Sequence, residues 1–86
     1  MTESDARRIA QAHRKHTLIP ETSLDGIAQR RYIEIADGDA TKPAPVRDVL
    51  VWVVRFNYDI AWGEVAVDEN TGQVVRVEYS RGAVQG

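Results

Sequence analysis

The sequence predicts an α+β domain in which one N-terminal helix lies on a three- or four-stranded antiparallel sheet. Three observations carry that prediction: a capped amphipathic segment over residues 2–15, a succession of alternating apolar runs from residue 27 onward, and connections between those runs too short for parallel crossovers.

The helix starts at Thr2-x-x-Asp5, the acidic form of a capping box, with Glu3 and Asp5 placing negative charge where the helix dipole favours it. Ala6, Ile9, Ala10 and His13 share one face, while Arg7, Arg8, Gln11, Arg14 and Lys15 occupy the remainder, the last two near the dipole's negative end. Only Ile9 on the apolar stripe is a large aliphatic residue, so the helix needs a sheet beneath it. Thr17-Leu18-Ile19 leads to Pro20, which ends the segment, and Leu18 and Ile19 are expected to add anchorage.

From Ile27 to Ala36 the chain alternates, with Gln29, Arg31, Ile33 and Ile35 on one face and Arg30, Tyr32 and Glu34 on the other. Asp37 to Pro45 reads as a loop. Val46 to Phe56 is the strongest strand, apolar on both faces: Val49, Val51 and Val53 on one, Leu50, Trp52, Val54 and Phe56 on the other. Asn57-Tyr58-Asp59 offers a turn, Ala61 to Val67 a further strand with Val65 and Val67 opposite Trp62 and Glu64. Val74 to Tyr79 closes the pattern, with Val75, Val77 and Tyr79 on one side and Val74, Arg76 and Glu78 on the other.

Between those last two strands lies VDENTGQV, which carries oxygen-bearing side chains like a cation-binding loop. Counted from Asp68, however, glycine stands at the fifth position instead of the sixth, and Tyr79 stands where a bidentate glutamate is required. A hairpin turn accounts for every residue. Asp68 can accept backbone hydrogen bonds from two and three residues ahead, and Gly72 can supply the positive φ of a G1 bulge.

The 86 residues suffice for one domain, 1–86, with 79–86 expected as a loose tail. A hydrophobic fraction of 43% with 28% charged residues argues for a folded protein, and a formal charge of −2 gives no whole-molecule attraction to nucleic acid or to anionic membranes. With no cysteine, disulfides, thiolate metal sites, Fe–S clusters and a cysteine nucleophile are excluded. The charged start MTESDARRIAQAHRKH lacks the apolar core of a secretory signal, and the expected location is cytoplasmic.

Catalytic signals are weak. His13 and His16 stand three apart on the helix and could share a metal, but neither a second histidine pair nor an H-E-x-x-H pattern supports them. Ser4, Ser23 and Ser80 lie outside any G-x-S-x-G setting, no glycine-rich phosphate loop is present, and Arg7, Arg8, Arg14 and Lys15 read as a solvated helix face. No cofactor is predicted.

What remains is surface. One helix can cover one face of the sheet, so the other apolar face of the central strand is expected to find cover elsewhere, in a partner protein or a second copy of the chain. Trp52, Arg55, Tyr58 and Trp62 are the residue types that dominate such contacts and are the predicted protein-binding residues. The same aromatic side chains would equally enlarge a small core, and the sequence leaves both roles open.

The hairpin Val67-Asp68, Glu69-Asn70, Thr71-Gly72, Gln73-Val74-Val75 resembles the V-D-x-x-T-G-x-V hairpin that ends PepSY-like domains, and it follows a helix and the aromatic-bearing strand Val51-Trp52-Val53-Val54-Arg55-Phe56 as in that family. The resemblance implies a non-catalytic bacterial domain that binds or inhibits a protein such as a peptidase. It extends to small immunity proteins that neutralise bacterial toxins and end in a similar hairpin. A non-enzymatic binding module is therefore the expected function, with an immunity protein as the alternative and a small metal-dependent enzyme third.

Overall fold

Thr2 caps the helix by satisfying amides that a helix leaves unpaired. Its hydroxyl accepts from the Asp5 amide (3.2 Å) and the Asp5 carboxylate accepts from the Thr2 amide (3.1 Å), completing the predicted capping box. These bonds hold the Asp5 carboxyl below its ordinary value, the Thr2 contacts outweighing the nearby Arg8 charge. In the computed structural model, which describes residues 1–36 and 46–80, helix α1 spans Glu3–His13 and runs into one 3₁₀ turn at Arg14–His16. Strands β1 (Leu24–Ala36), β2 (Val46–Tyr58), β3 (Ala61–Asp68) and β4 (Val74–Tyr79) follow, forming one antiparallel sheet in the order β1-β2-β3-β4. This is the predicted α+β architecture with the four-stranded sheet. The loop expected at Asp37 to Pro45 lies outside the described residues, as do residues 81–86 of the expected tail.

Three boundaries differ from the alternation. β1 begins at Leu24 instead of Ile27, because an irregularity between Asp25 and Ala28 lets Leu24 and Asp25 pair with Asn57 and Phe56. β2 continues through Tyr58, which pairs with Ala61, so the turn shrinks to Asp59-Ile60 with Asp59 at φ 50°. Order also extends past the predicted start of the tail. Tyr79 pairs with Gly63, and Ser80 both donates its amide to the Trp62 carbonyl (2.9 Å) and accepts from the Trp62 amide (3.0 Å).

The helix packs on β2, β3 and β4, burying Ala6 and Ala10 with Ile19, Val54, Phe56, Val65 and Val67. Ile19 fits because β3 has a glycine beneath it: a Cβ on Gly63 would sit 2.5 Å from Ile19 Cγ1. Leu18 does not share this anchorage and is exposed, offering its amide to the Tyr79 hydroxyl (3.0 Å) instead. Arg14 is no solvated-face residue either. Its guanidinium lies 5.1 Å from the Phe56 ring centre and donates to the Ser23 carbonyl and hydroxyl, tying the helix end to the approach of β1.

The face away from the helix overturns the expectation that β2 must find cover outside the chain. Val51 is fully buried, and Val49 and Val53 are 6% exposed, clustered with Ala66 and packed by Ile33, Ile35 and Val75. Among the described residues, curling of the sheet contributes to that cover. β1 and β4 are separated by two strands, in a flat sheet a gap of roughly 14 Å and beyond one side chain's reach; yet Arg76 of β4 donates to the Glu34 carbonyl of β1 (2.6 Å). A small cavity of about 10 Å³ lies there, lined by Arg31, Ile33, Val53, Glu64, Ala66, Arg76 and Glu78. A bulge assists. Ala66 pairs with Arg76 and Val67 with Val74, so Val75 is the extra residue and turns to this far core while Val74 joins the helix side, the reverse of the simple alternation.

VDENTGQV is a turn. Asp68 Oδ1 accepts from the amides of Asn70 (2.7 Å) and Thr71 (3.0 Å), and Gly72, at φ 74°, donates to the Asp68 carbonyl (2.9 Å). Gly72 thus closes a four-residue loop through a bond to the fourth residue back, one residue longer than the G1-bulge loop expected. No helix among the described residues is long and apolar enough to cross a membrane.

Candidate functional site

Strand parity divides the four predicted contact residues into two pairs on opposite faces. Trp52 and Tyr58 point to the helix side with Val54 and Phe56, whereas Arg55 and Trp62 lie on the far face. They do not form one patch.

Trp52, paired with Val67 and Arg30, is half-buried against the helix-side core. Tyr58 is half-buried against the same core. Trp52 Nε1 and the Tyr58 hydroxyl are enclosed without a hydrogen-bond partner among the described residues. Burial, and to a lesser degree the neighbouring Tyr79, pushes the Tyr58 phenol above its ordinary 10.0. Both residues therefore pack against the core while keeping part of their surface exposed.

An unpaired buried hydroxyl opposes folding, since its lost water contacts are not replaced. Tyr58→Phe is accordingly expected to keep or raise stability at neutral pH, by up to about 1 kcal/mol in chemical denaturation. The pH dependence follows from the raised phenol. The unfolded chain ionises first, so stability is complete below the ordinary value of 10.0 and falls as pH rises above it. Tyr58→Phe should flatten that alkaline decline.

On the far face the register places Arg55 opposite Glu64 and diagonal to Trp62. Arg55 Nε and Nη2 both donate to Glu64 Oε2 (3.0 and 2.8 Å), and the guanidinium stacks 4.3 Å from the centre of the Trp62 ring. Arg31 approaches the other carboxylate oxygen from β1 at 3.9 Å. Such a partly exposed stack and ion pair contribute about 1 kcal/mol each at most to stability. Together they hold the Arg55 side chain between a carboxylate and an indole. Next to them lies a shallow cleft of about 100 Å³ lined by Ile27, Gln29, Val53, Arg55 and Glu64.

Glu64 and Arg31 were not among the residues singled out in the sequence. The cross-strand signal depends on where the β2–β3 turn falls, and a turn at Asn57-Tyr58-Asp59 does not set Arg55 opposite Glu64. His13 and His16 do come together, with ring centres 5.4 Å apart and the planes tilted by 54°. Among the described residues no group of three or more His, Cys, Asp or Glu side chains gathers that could hold a metal.

No family model, curated protein or solved structure matches this chain.

Proposed function

We propose that the protein is a non-enzymatic binding module that presents its far sheet face, centred on Arg55 and Trp62, to a partner protein. The observation that carries this reading is the Arg55–Trp62–Glu64 arrangement: an arginine held between a carboxylate and an indole, partly exposed beside a shallow cleft. Arginine and tryptophan are the side chains that most often dominate protein contacts, and here they stack on one another. The resemblance of the Val67–Val74 hairpin to that of PepSY-like domains supports the same reading, with an enzyme such as a peptidase as the partner restrained. A cytoplasmic setting belongs to this proposal.

The test compares the wild-type chain with an Arg55→Ala, Trp62→Ala double variant as immobilised baits in extract of the native cell. Any protein retained is then purified and titrated against both. The reading expects a partner whose affinity falls at least tenfold for the double variant while both baits unfold cooperatively. Equal affinity for both baits would displace the site, and zinc binding in calorimetry that vanishes in His13→Ala would favour a metal-dependent activity instead.

A further inference from the structure

β1 is the longest exposed edge of the sheet, and its residues are mostly solvent-exposed along the outward run. Tyr32, at the centre of this run, is 68% exposed. It projects on the helix side, where α1 packs on β2, β3 and β4 and leaves the Arg30–Glu34 stretch uncovered. Arg30 and Glu34 flank Tyr32 two residues away on either side, on the same face.

This sequence is complementary to itself. When two copies of an antiparallel strand meet about a two-fold axis through residue 32, Tyr32 faces Tyr32, and Arg30 of each copy faces Glu34 of the other, twice. On the far face Arg31 then meets Ile33, and Gln29 meets Ile35. Neighbouring registers are worse. Centring the axis on residue 31 or residue 30 sets arginine against arginine, and centring it on residue 33 leaves Arg30 and Glu34 without opposite charges. A one-residue slip is not available, because it would join opposite faces of the two sheets.

From this charge and aromatic complementarity we infer that β1 is the interface for a second copy of the chain, joining two sheets into a continuous eight-stranded sheet with both helices on one side. The proposal is independent of the Arg55–Trp62 surface, which lies on the other face of the sheet. Two existing contacts are compatible with it. The Glu34 carbonyl that accepts from Arg76 keeps a second lone pair, and Arg76 approaches from the far face, away from Tyr32. The half-exposed Arg30 faces the largely buried Glu69 carboxylate through Nε at 3.6 Å, which leaves its terminal N–H donors to offer Glu34 of the other copy. The irregularity at Asp25–Ala28 interrupts one end of the edge and limits pairing to the self-complementary stretch.

Sedimentation and charge exchange test the inference. The wild-type chain should show a concentration-dependent mass approaching twice 9.6 kDa. Arg30→Glu and Glu34→Arg should each raise the dissociation constant at least tenfold, since each sets like charges opposite one another, and an equimolar mixture of the two variants should restore the dimer, because every pair is again of opposite sign. The chain has no cysteine, so Tyr32→Cys supplies a clean second readout: on the axis it should form a disulfide-linked dimer on mild oxidation, whereas Ile60→Cys, at the exposed β2–β3 turn, should not. A wild-type chain that stays monomeric at millimolar concentration would overturn the inference, as would a dimer indifferent to both charge reversals. Loss of partner capture in Arg55→Ala, Trp62→Ala with the dimer intact would bear on the binding proposal alone.

Discussion

Val51→Asp is expected to abolish cooperative folding at neutral pH. Val51 has no exposed surface; Val49, Val53 and Ala66 offer a carboxylate no donor, its cross-strand neighbour Arg31 is turned toward Glu64, and Asp68 on the other side is a second carboxylate. A buried, unpaired charge costs several kcal/mol even after the protein relaxes, comparable with the roughly 4–13 kcal/mol that stabilises a chain of this length. The carboxyl should escape by remaining protonated, so whatever fold survives should be recovered as pH falls toward 4–5, a range set by the ordinary carboxylate value of about 3.9 and the upward shift that burial imposes. Circular dichroism during urea unfolding, repeated across pH, reads both effects. A variant as stable as wild type would mean that the far face of β2 is open to water.

Phe56→Ala comes next in size. Among the described residues Phe56 is the largest fully buried side chain, clustered with Val54 and Val65 and lying beneath Arg14. Removing an enclosed phenylalanine costs about 3–5 kcal/mol through lost burial and the cavity that remains. Here a further loss is expected, because Arg14 would keep its bonds to Ser23 but lose the ring it lies over. The variant should therefore unfold at or near physiological temperature in calorimetry. An unchanged midpoint would contradict the placement of the helix-side core.

The helix, four strands and hairpin were legible because each follows from local chemistry. Thr2 and Asp5 form their cap within one turn, Asp68 reaches amides two and three residues ahead, and Val49, Val51 and Val53 of β2 alternate. What was not legible depends on contacts distant in sequence. Arg76 and Glu34 are 42 residues apart, and no local pattern announces that the sheet curls enough for them to meet. That curl draws together the two edge strands from which Ile33, Ile35 and Val75 pack against the cluster of Val49, Val51 and Val53. Bulges hid the rest: Val74 and Val75 exchange faces because β4 carries one more residue than β3 at that point. The candidate site was half legible. Arg55 and Trp62 meet as residue types suited to a contact surface, whereas Trp52 and Tyr58 pack against the helix-side core because their strand parity matches that of Phe56.

The claim on which most depends is that a single chain buries both faces of β2. Methyl NMR of a dilute sample with a soluble paramagnetic agent tests it side chain by side chain. The methyls of Val51, Val53 and Val54 should keep narrow lines, while those of fully exposed Ile60 and of Val46 broaden strongly. Broadening of Val51 and Val53 to the level of Ile60, with Val54 still protected, would show that the helix covers its face and that the far face is bare.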